Sequence, residues 1–133
     1  MIRPIERRDV PVVGSLQERL PYADPEVVEA ALEGPFYGFV AVEGRPVGYA
    51  IALPGRPATL SELVVDPAHR RRGHGRALVE RVFAATGPPL SVSTPVGNEA
   101  ATRLYAETGF AVEGVVAGFY ADGTDALRLV RRE

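Results

Sequence analysis

The chain has 133 residues, 46% hydrophobic and 24% charged, with a formal net charge of −2. That length suits one domain with a shared core and is too short for two. The near-neutral charge argues against a nucleic acid held by the whole surface, and the lack of cysteine excludes disulfides, thiolate-bound metals and a cysteine nucleophile.

Residues 2–5 read as a short strand. Asp9 then precedes Val10, Val13, Leu16 and Leu20, which are spaced for one face of a helix that Asp9 is placed to cap. Pro11 is tolerated in a first helical turn. Asp24-Pro25 is a second start signal, followed by an apolar face of Val27, Val28, Ala31 and Leu32, with Gly34 as the stop. Residues 36–42 and 47–53 form a predicted hairpin around Glu43-Gly44-Arg45-Pro46, and residues 59–65 add a strand to the same sheet. Residues 68–75 are basic and glycine-bearing. Ala77, Leu78, Val82 and Ala85 mark the next helix, which ends at Gly87-Pro88-Pro89.

A short strand over 90–93 precedes a helix opened by Asn98, with Ala101, Leu104 and Tyr105 facing inward and Gly109-Phe110 as a glycine stop. Strands over 110–116 and 126–130 are joined around Asp122-Gly123, a hairpin signal. The outline is βααββββαβαββ with one strand count open, a mixed α/β architecture in one domain.

The chemistry concentrates in Leu63-Val64-Val65-Asp66-Pro67-Ala68-His69-Arg70-Arg71-Arg72-Gly73-His74-Gly75-Arg76. A strand here feeds a turn, a glycine loop and a helix N-terminus. Unpaired N–H groups and the positive end of the helix dipole suit an anion there. Gly73 and Gly75 permit close approach, so the segment reads as a pyrophosphate cradle. It lacks the G-x-G-x-x-G pattern of dinucleotide folds and the G-K-[ST] ending of the P-loop. A solvated charge run is the alternative for three consecutive arginines, and the glycine spacing argues against it.

Arg70-Arg71-Arg72-Gly73-His74-Gly75 resembles the [RQ]-x-x-G-x-[GA] acyl-CoA loop of the GNAT superfamily of N-acetyltransferases. The run Asn98 to Phe110 is similar to that family's N-x-x-A-x-x-[LF]-Y-x-x-x-G-F helix, and the likeness covers essentially the whole chain. The ending from Gly118 to Leu127 resembles the branch that acetylates protein N-termini, including a ribosomal-protein alanine. That branch often carries a glutamate where this chain has Ser91 and Ser93. The resemblance implies a GNAT-like α/β (α+β) domain over residues 1–133, with a mixed, mostly antiparallel sheet flanked by about four helices.

It also implies roles. Leu63, Val64 and Val65 would pair with the pantetheine arm of acetyl-CoA and stabilise an oxyanion, though an ordinary core strand would carry the same side chains. Arg70, Arg71, Arg72, Gly73, His74, Gly75 and Arg76 would hold the pyrophosphate. Asn98, with Ala101, would contact the pantetheine, although helix capping alone explains the asparagine. Tyr105 would protonate the departing thiolate, a task for a phenol near pKa ~10, against the alternative of a core tyrosine. Glu62 is expected to share a sheet face with Leu60 and Val64. It is the carboxylate placed to deprotonate the amine, with a structural hydrogen bond or a water base as alternatives.

The expected reaction is direct attack of a primary amine on acetyl-CoA. The acceptor is a small-molecule amine or a protein N-terminus, reached through the early helices and residues 118–124. A non-catalytic acyl-CoA-binding module is the alternative, and nucleic-acid binding is disfavoured. His69 and His74 read as solvated side chains, so no metal is expected. The charged start is unlike an export signal and no run reaches the ~18 apolar residues of a membrane span, so a cytoplasmic protein away from membranes is expected. The terminal strands offer a route to a homodimer.

Overall fold

The alternation of apolar residues along the central strands decides the architecture. In the computed structural model, which describes residues 1–133, one seven-stranded sheet runs in the order β1-β2-β3-β4-β5-β7-β6. The strands are β1 (Ile2–Pro4), β2 (Tyr37–Glu43), β3 (Arg45–Leu53), β4 (Ala58–Val65), β5 (Leu90–Pro95), β6 (Ala111–Val116) and β7 (Ala126–Arg131). All neighbours are antiparallel except β4 and β5. The helices are α1 (Val10–Gln17), α2 (Glu26–Glu33), α3 (His74–Thr86) and α4 (Glu99–Glu107). Three strands, not four, separate α2 from α3.

Successive residues of β2 and β3 serve opposite layers, as the strand period of two requires. Phe39, Ala41, Ala50 and Ala52 pack with Leu78, Val79 and Val82 of α3 and with Tyr105 of α4. Val40, Tyr49 and Ile51 pack with Val13 and Leu16 of α1 and Val28 of α2. The apolar faces expected of α1 and α2 are the ones that meet the sheet. In α3, Val79 is fully buried whereas Ala85 is exposed, so the inward stripe runs through Leu78, Val79 and Val82.

One local reading is corrected. Asp9 does not cap α1 with its side chain. Its buried carboxylate accepts from Arg3 at 2.8 and 2.9 Å and from the Glu6 N–H at 2.8 Å. An ion pair outcompetes the cap because Arg3, on β1, reaches a site that water does not. In the last hairpin the Asp122-Gly123 signal is a real turn: the Gly123 N–H donates to the Tyr120 carbonyl at 2.9 Å, with Gly123 at φ 89°. Residues 117–125 form a nine-residue loop, closed by Gly118 N–H on Asp125 Oδ1 and by Tyr120 N–H on the Thr124 carbonyl.

β4 carries the irregularity that matters. Ile51 pairs with Glu62 but Ala52 pairs with Leu60, so Ser61 is an extra residue, a β-bulge. The bulge reverses the side-chain sense. Leu60 joins the α3 layer, while Glu62 and Val64 face the α1–α2 layer. The expectation that Glu62 shares a face with both Leu60 and Val64 therefore holds for Val64 only.

Candidate active site

β4 and β5 pair in parallel only over Ala58–Leu60 against Leu90–Val92. Beyond the bulge they diverge, and no strand covers the β5-facing edge of residues 61–65. Backbone groups left open along such an edge can accept another extended chain. Leu63 and Val65 pack partly against the α3 layer, and Val64 against the α1–α2 layer.

The strand leads into a 3-10 turn over Pro67–His69, capped by Asp66 accepting from the Ala68 N–H at 3.0 Å. Arg71 (φ 64°) and Gly73 (φ 83°) then take left-handed conformations that curl the backbone into the start of α3. The first bond of α3 is Ala77 N–H to the Gly73 carbonyl, which leaves the His74, Gly75 and Arg76 N–H groups without helical partners. A Cβ built on Gly73 would meet nothing within 4 Å, so the space before the loop is open. A Cβ on Gly75 would lie 3.3 Å from Leu104, so that glycine serves the contact of α3 with α4.

The arginines differ in what they already hold. Arg70 Nε donates to the Val65 carbonyl at 3.4 Å, Arg72 Nη1 to Glu43 Oε2 at 2.6 Å, and Arg76 Nη1 to the Glu107 carbonyl at 3.4 Å. Arg71 is exposed and makes no hydrogen bond or ion pair with the chain, so its guanidinium is free. His74 is buried and hydrogen-bonded to Glu43 at 2.7 Å, not solvated as its basic surroundings imply. His69 is also largely covered, its Nδ1 sealed from solvent without a hydrogen bond.

Tyr105 sits on α4 against Phe110, with ring centroids 5.5 Å apart. The residue is 93% buried, yet its hydroxyl finds no hydrogen-bond partner in the chain and is not fully sealed from solvent. Burial first, then the neighbouring Tyr22 and Tyr120 phenols, pushes its pKa above the ordinary tyrosine value. It therefore holds its proton through neutral and moderately alkaline pH. Asn98 caps α4 by accepting from the Ala101 N–H at 3.2 Å, so the structure assigns this pair a capping contact.

Glu62 is buried and accepts three hydrogen bonds: Tyr49 hydroxyl at 2.7 Å, Gln17 Nε2 at 3.0 Å and the Asp24 N–H at 3.0 Å. A carboxylate offers about four acceptor positions, so about one is left. Tyr22, on the loop after α1, has its pKa raised by burial and then by Glu62. Its ring lies 5.2 Å from that of Tyr120, whose pKa burial pushes up to about 12. Tyr22 and Tyr120 line a cleft of about 230 Å³ with Pro21, Pro95, Asp122 and Thr124.

The arrangement therefore has two mouths. Arg70–Arg76 and the open β4 edge form one; Tyr22, Tyr120 and Asp122 form the other, and the Tyr105 phenol is near enough to feel the Tyr22 and Tyr120 phenols. Residues 63–65, 70–76, Tyr105 and 118–124, the candidates offered by the sequence, line or adjoin these two openings. Tyr22, Tyr49, Gln17 and Glu43 join them only in the folded chain. For Tyr49 a signal existed, because a tyrosine between Gly48 and Ala50 in an apolar strand needs a buried partner for its hydroxyl.

Residues 3–110 match the family model described as the acetyltransferase (GNAT) family. A mycothiol acetyltransferase of Clavibacter michiganensis subsp. michiganensis is 48% identical over 68 residues, 50% of this chain and 22% of that protein. Another, from Streptomyces avermitilis, is 50% identical over 60 residues, 44% of this chain and 20% of that protein. The chain thus spans about a fifth of the length of these curated relatives. Among solved structures, the Escherichia coli ribosomal-protein-S18-alanine N-acetyltransferase superposes with TM-score 0.84 at 24% identity, covering 99% of this chain and 92% of that one. Arabidopsis thaliana NAA60 in complex with acetyl-CoA gives 0.86 at 19% identity, covering 99% and 97%. At these identities the superpositions show the shared fold, a mixed and mostly antiparallel sheet with four helices.

Proposed function

The chain belongs to the acetyltransferase (GNAT) family, and from that premise we propose that residues 1–133 form one catalytic domain moving the acetyl group of acetyl-CoA to a primary amine. The observation that carries this reading is the divergence of β4 and β5 beyond Leu60, opening onto the arginine-glycine turn and α3. The thioester supplies the activated acyl group; the chain binds, orients and manages protons. Backbone groups of Leu63, Val64 and Val65 take the pantetheine arm. The His74, Gly75 and Arg76 N–H groups with the Arg71 guanidinium take the pyrophosphate. Arg70, Arg72 and Gly73 shape that turn.

The amine enters between Tyr22 and Tyr120 and attacks the thioester carbon directly, without an acyl-enzyme. The C–N bond forms, the C–S bond breaks, and Tyr105 donates its proton to the leaving sulfur. The proton lost by the amine passes to Glu62 through a water, because three of the carboxylate's acceptor positions are occupied. A non-catalytic acyl-CoA binder would have no use for a buried, unpaired phenol near the Tyr22 and Tyr120 phenols.

The acceptor is a small-molecule amine or a protein N-terminus, and the reading needs no metal. No helix is long and apolar enough to cross a membrane, and acetyl-CoA as co-substrate favours a cytoplasmic setting. A net charge of −2 is poor support for nucleic-acid binding. The exposed edge strand β6 supports pairing with a second copy. The test is a calorimetric titration with acetyl-CoA, with CoA and ATP as controls, followed by a thiol-release screen of amines. Saturable CoA-selective binding with amine-dependent thiol release supports the reading; a folded sample that binds no CoA overturns it.

A further inference from the structure

At the end of β2, far from the loop in sequence, one carboxylate holds both residues that flank Gly73. Glu43 Oε2 accepts from Arg72 Nη1 at 2.6 Å, and Glu43 Oε1 pairs with His74 Nε2 at 2.7 Å. His69 Nε2 stands 4.0 Å from Oε2 on the same side. The hydrogen bond from His74, and after it Arg72, holds the Glu43 carboxyl below the usual carboxylate range. Glu43 is therefore ionised at neutral pH, and His74 Nε2 is the donor in this pair.

The geometry has a consequence for the turn. Arg71 and Gly73 take left-handed conformations, and a non-glycine residue keeps one only when its surroundings impose it. Arg72 lies between them and His74 follows, and both side chains are drawn back to the β2–β3 turn by one carboxylate. The main-chain N–H groups of His74, Gly75 and Arg76 and the Arg71 side chain stay free of intramolecular partners.

We propose that Glu43 is a positioning residue for pyrophosphate recognition: without touching the cofactor, it fixes the loop through Arg72 and His74 so that backbone donors converge on the phosphates. This rests on the acetyl-CoA reading above. The competing effect is repulsion, since an anion near a phosphate site weakens binding. Here the carboxylate is offset by Arg72 and by the His74 hydrogen bond, so organisation outweighs repulsion.

The test is calorimetric titration of wild-type protein, Glu43→Ala and Glu43→Gln with CoA and with pantetheine, which shares the arm but lacks the phosphates. Glu43→Ala is expected to raise the CoA Kd about tenfold. Glu43→Gln, which can still accept from His74, is expected to fall between the two. Pantetheine affinity and the thermal midpoint should stay near wild type. Unchanged or tighter CoA binding in Glu43→Ala overturns the inference, and so does an equal loss for pantetheine, which would mark a general structural defect. A wild-type chain that binds no CoA removes the cofactor reading itself, a separate result from a Glu43 variant that binds normally.

Discussion

The Tyr49 hydroxyl donates to Glu62 Oε1 at 2.7 Å, joining β3 to β4 inside the α1–α2 layer. Burial, and then the neighbouring carboxylate, raises the tyrosine pKa far above its ordinary value, so the phenol remains a donor. The pair also ties in α1 through Gln17 and the following loop through Asp24. Tyr49→Phe removes one donor and is expected to lower the unfolding free energy by about 1–2 kcal/mol. Glu62→Ala orphans three donors at once and is expected to cost about 3 kcal/mol. Urea denaturation measures both. If Glu62 takes the amine's proton, Glu62→Gln also lowers turnover at concentrations where it remains folded. Unchanged turnover would leave the carboxylate a purely structural hub.

Tyr105 presents the opposite case, a buried residue whose hydroxyl retains some solvent access and pairs with nothing in the chain. Its removal leaves no orphaned partner, so Tyr105→Phe should change stability by no more than about 0.5 kcal/mol. Turnover should fall roughly 100-fold if the phenol is the general acid, while the CoA Kd stays constant. The sign of its pKa shift adds a pH test. A raised value means the proton is retained as pH climbs through the ordinary tyrosine range, so the rate should not decline near pH ~10 through loss of this proton. Wild-type turnover in the phenylalanine variant would remove the assignment.

Arg3 and Asp9 make an acid-sensitive clamp between β1 and the start of α1. The Arg3 hydrogen bonds, with the Glu6 N–H, hold the Asp9 pKa below its usual value. A lowered carboxylate contributes stability that is present above the unfolded-state value near ~4 and is lost as pH falls through the folded-state value. Thermal midpoints between neutral pH and about pH 2 should therefore drop in wild type. Asp9→Asn should start about 3 kcal/mol less stable and show a flatter acid limb. Parallel acid limbs for the two proteins would assign the loss to other carboxylates.

How much of this was legible in the sequence follows from the range of each interaction. Helix faces are local, and the spacing of Val13, Leu16 and Val28 identified the faces that meet the sheet, whereas the layer each strand residue serves emerges only once the helices are packed on it. The arginine-glycine loop was legible because its donors are main-chain groups at the start of the helix that follows. The bulge at Ser61 was not. Residues two apart share a face in a regular strand, and Leu60 and Glu62 are both buried, so nothing in the pattern shows that they face opposite layers. Glu43 and His74 looked like solvated residues of a turn and a basic loop. Their pairing spans 31 residues and exists only once β2 lies beside the start of α3. Asp9 carried a genuine cap signal that a carboxylate-guanidinium pair with Arg3 outweighed.

The two glycines of the loop should separate under mutation. Gly73 has a φ of 83° and open space where a Cβ would go, so Gly73→Ala meets no atom but strains the backbone by roughly 1–2 kcal/mol. Gly75 has no such backbone demand, but its Cβ would press on Leu104 at 3.3 Å, and the branches of a valine press further. Gly75→Val should therefore shift the N-terminus of α3 away from α4 and weaken CoA binding by moving the helix. Trimming the obstacle with Leu104→Ala should restore much of that affinity. The same Leu104→Ala change should do nothing for Gly73→Val, whose defect lies in the turn itself. A four-variant comparison of CoA affinity tests this. Equal rescue of both glycine variants, or of neither, would mean that Leu104 is not what Gly75 accommodates and that close approach of the phosphates limits both positions.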